Sequence, residues 1–341
     1  MPRSSIVLLA GALRRTIPGS HACGRLAGIV LAAAGLAAGP APAQQQDYPS
    51  KPIRMIVANS AGSSPDIVGR IMAIEMAKFL GQPIIVENRP GASAIIGLEY
   101  VAKQVAADGY VFISTAVPAL ATLPVSVKDL RFDPIKDIPP FIGLIEGPYI
   151  FGGTPANPWN NFNEFVAFAK ANPNKLNYGS PSSSVRVPVE ALINGLGVKI
   201  VHVPYTGGAP YNQAVMTGEV QLGLVAEAIA NTWGNKFRAI AITGEQRSPR
   251  WPDVPTFKEL GYPEIRSLTF SLNAPAGTPR YAVDKLHAAA LRTLQLPEVK
   301  ARFNKMGYEI TAQPPEVAAK ALADEAQFLV NVVKKQGLQL Q

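Results

Sequence analysis

The sequence predicts an α/β protein of two lobes, each built on a parallel-rich sheet, with a central cleft between them. Three observations predict it. Short apolar strand patterns alternate with helical periodicity; the alternation restarts after Pro139-Pro140; and the chain ends on a purely helical tail. A length of 341 residues suits roughly two domains.

The elements follow in order. Ile53 to Val57 is a short apolar run that reads as a strand. A loop, 59–66, leads into helical spacing from Ile67 to Leu80, which stops at Gly81. Ile84 to Val86 is the next strand, Gly97 to Val105 a helix, and Tyr110 to Ile113 a strand. Strand–helix–strand order implies right-handed crossovers and mainly parallel pairing. In the second half, 163–171, 189–196 and 209–217 read as helices. Segments 176–178, 200–203, 220–225 and 237–242 read as strands. The tail carries helices over 280–294, 297–306 and 315–335. The expected division is lobe 1 over 44–147 and 245–341, and lobe 2 over 148–244. The crossover strands near 114–125 and 225–245 are expected to form the hinge.

Residues 1–43 read as an export signal. Arg3, Arg14, Arg15 and Arg25 are its only charges, and a 14-residue apolar run, 26–39, is too short to span a membrane. Ala41-Pro42-Ala43 offers a cleavage pattern, with cutting expected after Ala43. Removing this segment lowers the formal charge from +8 to +4 and removes the single cysteine, Cys23. A disulfide scaffold and a Cys-built zinc site are therefore excluded. The 48% apolar and 16% charged content excludes intrinsic disorder. With no basic run or aromatic-interleaved basic stripe, nucleic acid is not an expected partner. The residual positive charge favours anionic ligands.

Motifs for catalysis are missing. The sequence has no H-E-x-x-H, no G-x-x-x-x-G-K-[ST], no G-x-G-x-x-G and no G-x-S-x-G. His202 lies in a predicted strand and His287 on a tail helix. A nucleophilic serine needs a positioned base, and spacing places neither histidine beside the serine-rich loops. The reading is a binding protein rather than an enzyme, with no cofactor or metal. Two alternatives stand: a ligand sensor acting through a signalling partner, and a secreted hydrolase using a serine of 180–184.

Two loops are the candidate binding site. Asn59, Ser60, Gly62, Ser63 and Ser64 precede the first long helix, with Asp66 or Ser64 placed to cap it. Ser180, Ser182, Ser183, Ser184 and Arg186 form the corresponding loop of the second half. Small residues leave backbone N–H groups free, and a helix start suits a carboxylate. Arg186 is expected to form a direct ion pair with that carboxylate.

At the level of motifs, the chain resembles the tripartite tricarboxylate transporter solute receptors, also called the Bug family. The resemblance covers Tyr48 to about Leu338. It rests on Tyr48-Pro-Ser-Lys-Pro-Ile-Arg54, Asp66 with Arg70, Val86-Glu-Asn-Arg-Pro-Gly-Ala92, Asp108-Gly-Tyr110 and Phe132-Asp-Pro-Ile-Lys-Asp137. Further along are Asn177-Tyr-Gly-Ser180, His202-Val-Pro-Tyr205, Arg247-Ser248, Pro252-Asp-Val-Pro-Thr256 and Ala274-Pro-Ala-Gly-Thr-Pro279. The resemblance implies a periplasmic-binding-protein-like fold, a periplasmic location and a monomer. It further implies capture of a small organic acid and delivery to inner-membrane permease subunits. Thr115, Tyr205 and Glu227 complete the expected ligand set. The sequence departs from the family pattern in places. Ser63 stands where the first loop has its second Gly, so a Cβ occupies a point where backbone freedom is often needed. Ser182 and Ser184 replace glycines of the second loop, Val185 replaces a Thr, Asn59 stands for an aromatic, and Val225-Ala226-Glu227 stands for Phe-Asp.

Overall fold

The structure, a computed structural model, describes residues 48–263 and 265–337. The export signal and its cleavage site lie outside the described residues. Eleven strands and eleven α-helices are found among the described residues.

The first half follows the predicted alternation. Strand β1 (Ile53–Val57) leads to helix α1 (Ser64–Leu80), β2 (Ile84–Asn88), α2 (Ile95–Lys103) and β3 (Val111–Ala116). β1 pairs in parallel with both β2 and β3, as right-handed crossovers require. Helix α1 buries Val68, Ile71, Met72 and Met76, four residues at helical spacing, against this sheet. Gly81, with φ 69°, ends it by the left-handed turn that a glycine takes without a Cβ penalty. Two short helices follow, α3 (Val117–Ala121) and α4 (Leu123–Ser126).

The chain then adds strands that the sequence pattern did not predict. These are β4 (Pro140–Gly147) and β5 (Tyr149–Gly153), adjacent in sequence but belonging to different sheets. The remaining elements are α5 (Phe162–Ala171), β6 (Asn177–Ser180), α6 (Ser183–Leu196), β7 (Val201–Pro204), α7 (Gly208–Thr217), β8 (Gly223–Ala226), α8 (Glu227–Ala230) and β9 (Arg238–Ile242). Last come β10 (Leu268–Asn273), α9 (Arg280–Gln295), α10 (Pro297–Lys305), β11 (Glu309–Gln313) and α11 (Pro315–Gln336); β10 and β11 were not predicted either, and β11, which joins the larger sheet beside β4, interrupts the tail expected to be helical throughout.

The sheets are mixed, not mainly parallel. The six-stranded sheet has the order β11-β4-β10-β3-β1-β2, and β10 runs antiparallel to both β3 and β4. A three-stranded sheet, β8-β5-β9, is wholly antiparallel, while β6 and β7 pair in parallel. The α/β reading holds, but its parallel grammar breaks at β4, β5, β10 and β11: β4 passes to β5 with no helix between, and all four take antiparallel neighbours. The strands of the larger sheet end at Gly147 and resume at Leu268; those of the smaller sheets lie between Tyr149 and Ile242. The chain crosses between sheets at Pro148 and within 243–267. Residues 114–116 belong to β3 of the larger sheet and 117–125 run through α3 and α4, so the chain makes no crossing between sheets there.

Candidate functional site

The carboxyl ends of several strands converge on one cavity of about 110 Å³, several times the roughly 10–15 Å³ that a water needs. Loops leaving β1, β6 and β7 each run directly into a helix at its edge. Ser63, Ser64 and Asn59 line it from the first loop, Ser182, Ser183 and Ser184 from the second, and Gly207 and Gly208 from the third. Strand ends and α8 add Tyr149, Leu224, Ile229, Leu268 and Phe270, and Ser93, Ala119, Thr122 and Asn212 extend the polar and small-residue lining from the turn before α2, from α3 and from α7. This is the place where an open α/β sheet holds ligands.

The three helices that start here share a property. In none of α1, α6 or α7 does the N-cap side chain accept a hydrogen bond from the first turn. Side-chain capping is rare in this chain: among the described α-helices only α5 has it, where Asn161 accepts from the Glu164 N–H, so what sets α1, α6 and α7 apart is that their starts border one cavity. The Ser63 Oγ is buried without a hydrogen-bond partner, and the Ser182 Oγ pairs with the Ser184 Oγ at 2.8 Å instead of capping α6. Uncapped first turns leave N–H donors and the positive end of the helix dipole for a ligand.

Asp66 does not cap α1. Its carboxylate accepts from the Gly62 N–H at 2.9 Å, the Arg70 Nε at 3.0 Å and the Asn88 Nδ2 at 2.8 Å. Asn88 Nδ2 also donates to the Asn59 carbonyl. The family-like Asp66–Arg70 spacing thus pins the first loop from behind. Burial pushes the Asp66 carboxyl upward, but Arg70, Gly62 and Asn88 outweigh it and hold it below the usual carboxylate range.

The serines that replace family glycines are unstrained. Ser63 sits at φ −72° and Ser182 at φ −167°, both extended conformations open to any residue. The left-handed position in the first loop is Gly62, at φ 79°, and it is still a glycine.

Of the predicted ligand set, Asn59, Ser63, Ser64, Ser182, Ser183 and Ser184 line the cavity. The other members sit elsewhere. Ser60 lies beside Gly207 and takes the Ser63 N–H on its carbonyl, and Gly62 serves Asp66. Thr115 is wholly buried within β3. Tyr205 donates to Glu219. Arg186 pairs with Glu190 at 3.4 Å and does not line the cavity. It falls one position past the lining residue Val185, a rotation of about 100° around the helix. Glu227 is buried with Ser248, whose Oγ donates to it at 2.6 Å. It faces a second hollow of about 600 Å³, together with Gly307 and Tyr308. Gly207 and Gly208 follow a strand and open a helix, the same pattern as the two predicted loops, and were legible on that ground. Leu268 and Phe270 were not, since only sheet pairing brings β10 here.

Burial is the main cause that raises the Glu227 carboxyl, opposed by Ser248. A carboxyl raised on folding contributes stability below its unfolded value, and that contribution is lost as pH rises through the folded value. Glu227→Gln is therefore expected to remove one component of the fall in stability between the ordinary carboxylate range and neutrality. Urea unfolding of both proteins across that interval checks it; parallel curves would count against it.

Ser180 Oγ lies 2.7 Å from His202 Nε2, the spacing a serine hydrolase needs. Ser180 is 4% exposed and lines no cavity described here, and burial followed by the Arg186 charge lowers the histidine's affinity for a proton. The pair ties β6 to β7, with the serine itself buried.

A cavity at strand ends bordered by three helix starts, its lining serines without a His, Asp or Glu beside them in that lining, is the ligand site of an α/β fold. The chain belongs to the tripartite tricarboxylate transporter family receptors, whose family model matches residues 68–338. These are periplasmic substrate-binding receptors, not enzymes. A Cupriavidus necator UPF0065 protein encoded in the gbd 5′ region is 38% identical over 89% of this chain and 91% of its own length. The structure of the periplasmic binding protein BugD superposes with a TM-score of 0.80 at 28% identity, covering 86% of this chain and 100% of that one. MatC from Rhodopseudomonas palustris, solved with bound malate, gives a TM-score of 0.79 at 29% identity over 84% and 100% of the two chains. Among the described residues, no helix is long and apolar enough to cross a membrane.

Proposed function

We propose that this protein is an exported, monomeric receptor that captures a small organic acid between two lobes and passes it to inner-membrane permease subunits of the tripartite tricarboxylate type. Export is by cleavage after Ala43. Three uncapped helix starts around one cavity carry the reading. Each presents N–H donors to the same small volume, an arrangement that suits a carboxylate and does no chemistry on it. The malate found in MatC is a carboxylate ligand in a related fold, which supports the same chemistry here.

The lobes divide at residues 147–148 and 244–245, close to where the chain crosses between sheets. Ligand that touches both lobes has a higher affinity for the closed form and shifts the population toward it. A thermal-shift screen of mono-, di- and tricarboxylic acids is expected to raise Tm for the cognate acid, because the ligand binds only the folded protein. Small-angle scattering with that acid is expected to show a smaller radius of gyration. An unchanged radius with a verified ligand would contradict closure, and no Tm shift by any acid would contradict the receptor reading itself.

A further inference from the structure

The lining of the cavity is uncharged throughout: no described residue lining it is Lys, Arg, His, Asp or Glu. Its polar groups come mainly from the loops, as serine hydroxyls, the Asn59 amide and helix-start N–H groups; Asn212 on α7 adds one amide, and the Thr122 hydroxyl is committed to the Pro118 carbonyl at 2.8 Å. The strand ends and α8 give almost only apolar surface, with Leu224, Ile229, Leu268 and Phe270 prominent. Of the phenols among them, the Tyr211 hydroxyl is committed to the Leu224 carbonyl at 2.9 Å. Tyr149 is kept protonated by burial, with neighbouring Tyr308 and Glu325 adding to the effect.

Cations around the cavity are already engaged. Arg70 holds Asp66, and Arg186 holds Glu190. Arg266, on the side of Tyr149 and Thr122, faces Glu325 at 3.9 Å and lies 3.7 Å from the centre of the Phe328 ring. The nearby carboxyls add no positive charge: Glu227 is buried at the start of α8, and half-buried Glu325 shares a small hollow with Tyr149 and Thr122.

Resting on the receptor reading above, we propose that the ligand carries a single carboxylate on an uncharged, largely apolar body, aliphatic or aromatic. The carboxylate sits at the helix starts, and the body lies against Leu224, Ile229, Leu268 and Phe270. A second carboxylate on that body would lose its water without gaining a counter-charge or a ring of donors, a cost that the first carboxylate does not meet. The site therefore selects against diacids by the absence of a cation, not by shape.

Calorimetric titration of acid pairs that differ by one methyl-to-carboxylate change tests this: butyrate with succinate, hexanoate with adipate, and 4-methylbenzoate with terephthalate. In whichever pair fits the cavity, the monoacid is expected to bind at least tenfold more tightly, equivalent to about 1.4 kcal/mol. Ile229→Lys, which puts an ammonium on the apolar wall at a half-buried position, is expected to shift that ratio at least tenfold toward the diacid. Its fold is checked by circular dichroism. Diacid binding equal to or tighter than monoacid binding in the wild type would overturn the inference and leave the receptor reading standing. Binding of no acid from either series would overturn both.

Discussion

Gly153→Ala is expected to lower stability by about 3 kcal/mol or more, the upper end of what overpacking costs, and to cut the yield of folded protein. A Cβ at Gly153 would lie 2.0 Å from the Gln221 carbonyl oxygen, and one at Gly152 would lie 2.1 Å from the Arg238 carbonyl oxygen. Both obstructions are backbone atoms, so no rotamer change relieves them. β5 is the central strand of the three-stranded sheet, and its neighbours approach closely because these glycines have no side chains. The consequence reaches the site, since β5 begins at Tyr149 on the cavity wall. Gly197→Ala is the comparison: nothing lies within 4 Å of a Cβ there, and the penalty is the conformational one of a left-handed turn, roughly 1 kcal/mol. Urea unfolding of the two variants separates close approach from backbone conformation. Equal losses would show that the strand relaxes to make room.

How much of this architecture was legible depended on direction. Where a strand feeds a helix that returns to the same sheet, as from Ile53 to Lys103, sequence punctuation marks each step. Helix α6 was read too short because Pro188 suggests a boundary, yet the helix begins at Ser183 and runs through it. β4, β5 and β10 are buried throughout or nearly so, and no period-2 alternation betrays them. Their antiparallel pairing joins residues far apart in the chain, such as Phe270 with Ala116 and Ile150 with Ile242.

The candidate site divides the same way. Loops 59–64 and 182–184 were readable because a strand, small residues and a helix start follow one another. Arg186 and Glu227 were not, because a charge in a sequence does not reveal the partner that will neutralise it. Arg186 meets Glu190 one turn along its own helix. Glu227 meets Ser248, brought to it by the turn after β9.

Asp66 is expected to give the largest loss of binding of any residue that does not itself line the cavity. Asp66→Ala removes the shared acceptor of Gly62, Arg70 and Asn88. Because Arg70 is half exposed and can return to water, the loss is set below that of a wholly buried ion pair, at about 2–3 kcal/mol. Freed from Asp66, Gly62 and Asn59 no longer hold Ser63 and Ser64 against the cavity, so ligand affinity should fall at least tenfold along with stability. The pH dependence distinguishes this carboxylate from a merely polar contact. A carboxyl depressed on folding contributes stability above its unfolded value, and that contribution is lost as pH falls through the folded value. The difference in unfolding free energy between wild type and Asp66→Ala should therefore be greatest near neutrality and shrink on acidification through and below the ordinary carboxylate range. Asp66→Asn, which keeps the shape and one acceptor, should retain part of the loop geometry but lose the pH dependence. A difference between wild type and Asp66→Ala that stays constant with pH would show that the loop is held by packing and that the charge on Asp66 contributes nothing to the site.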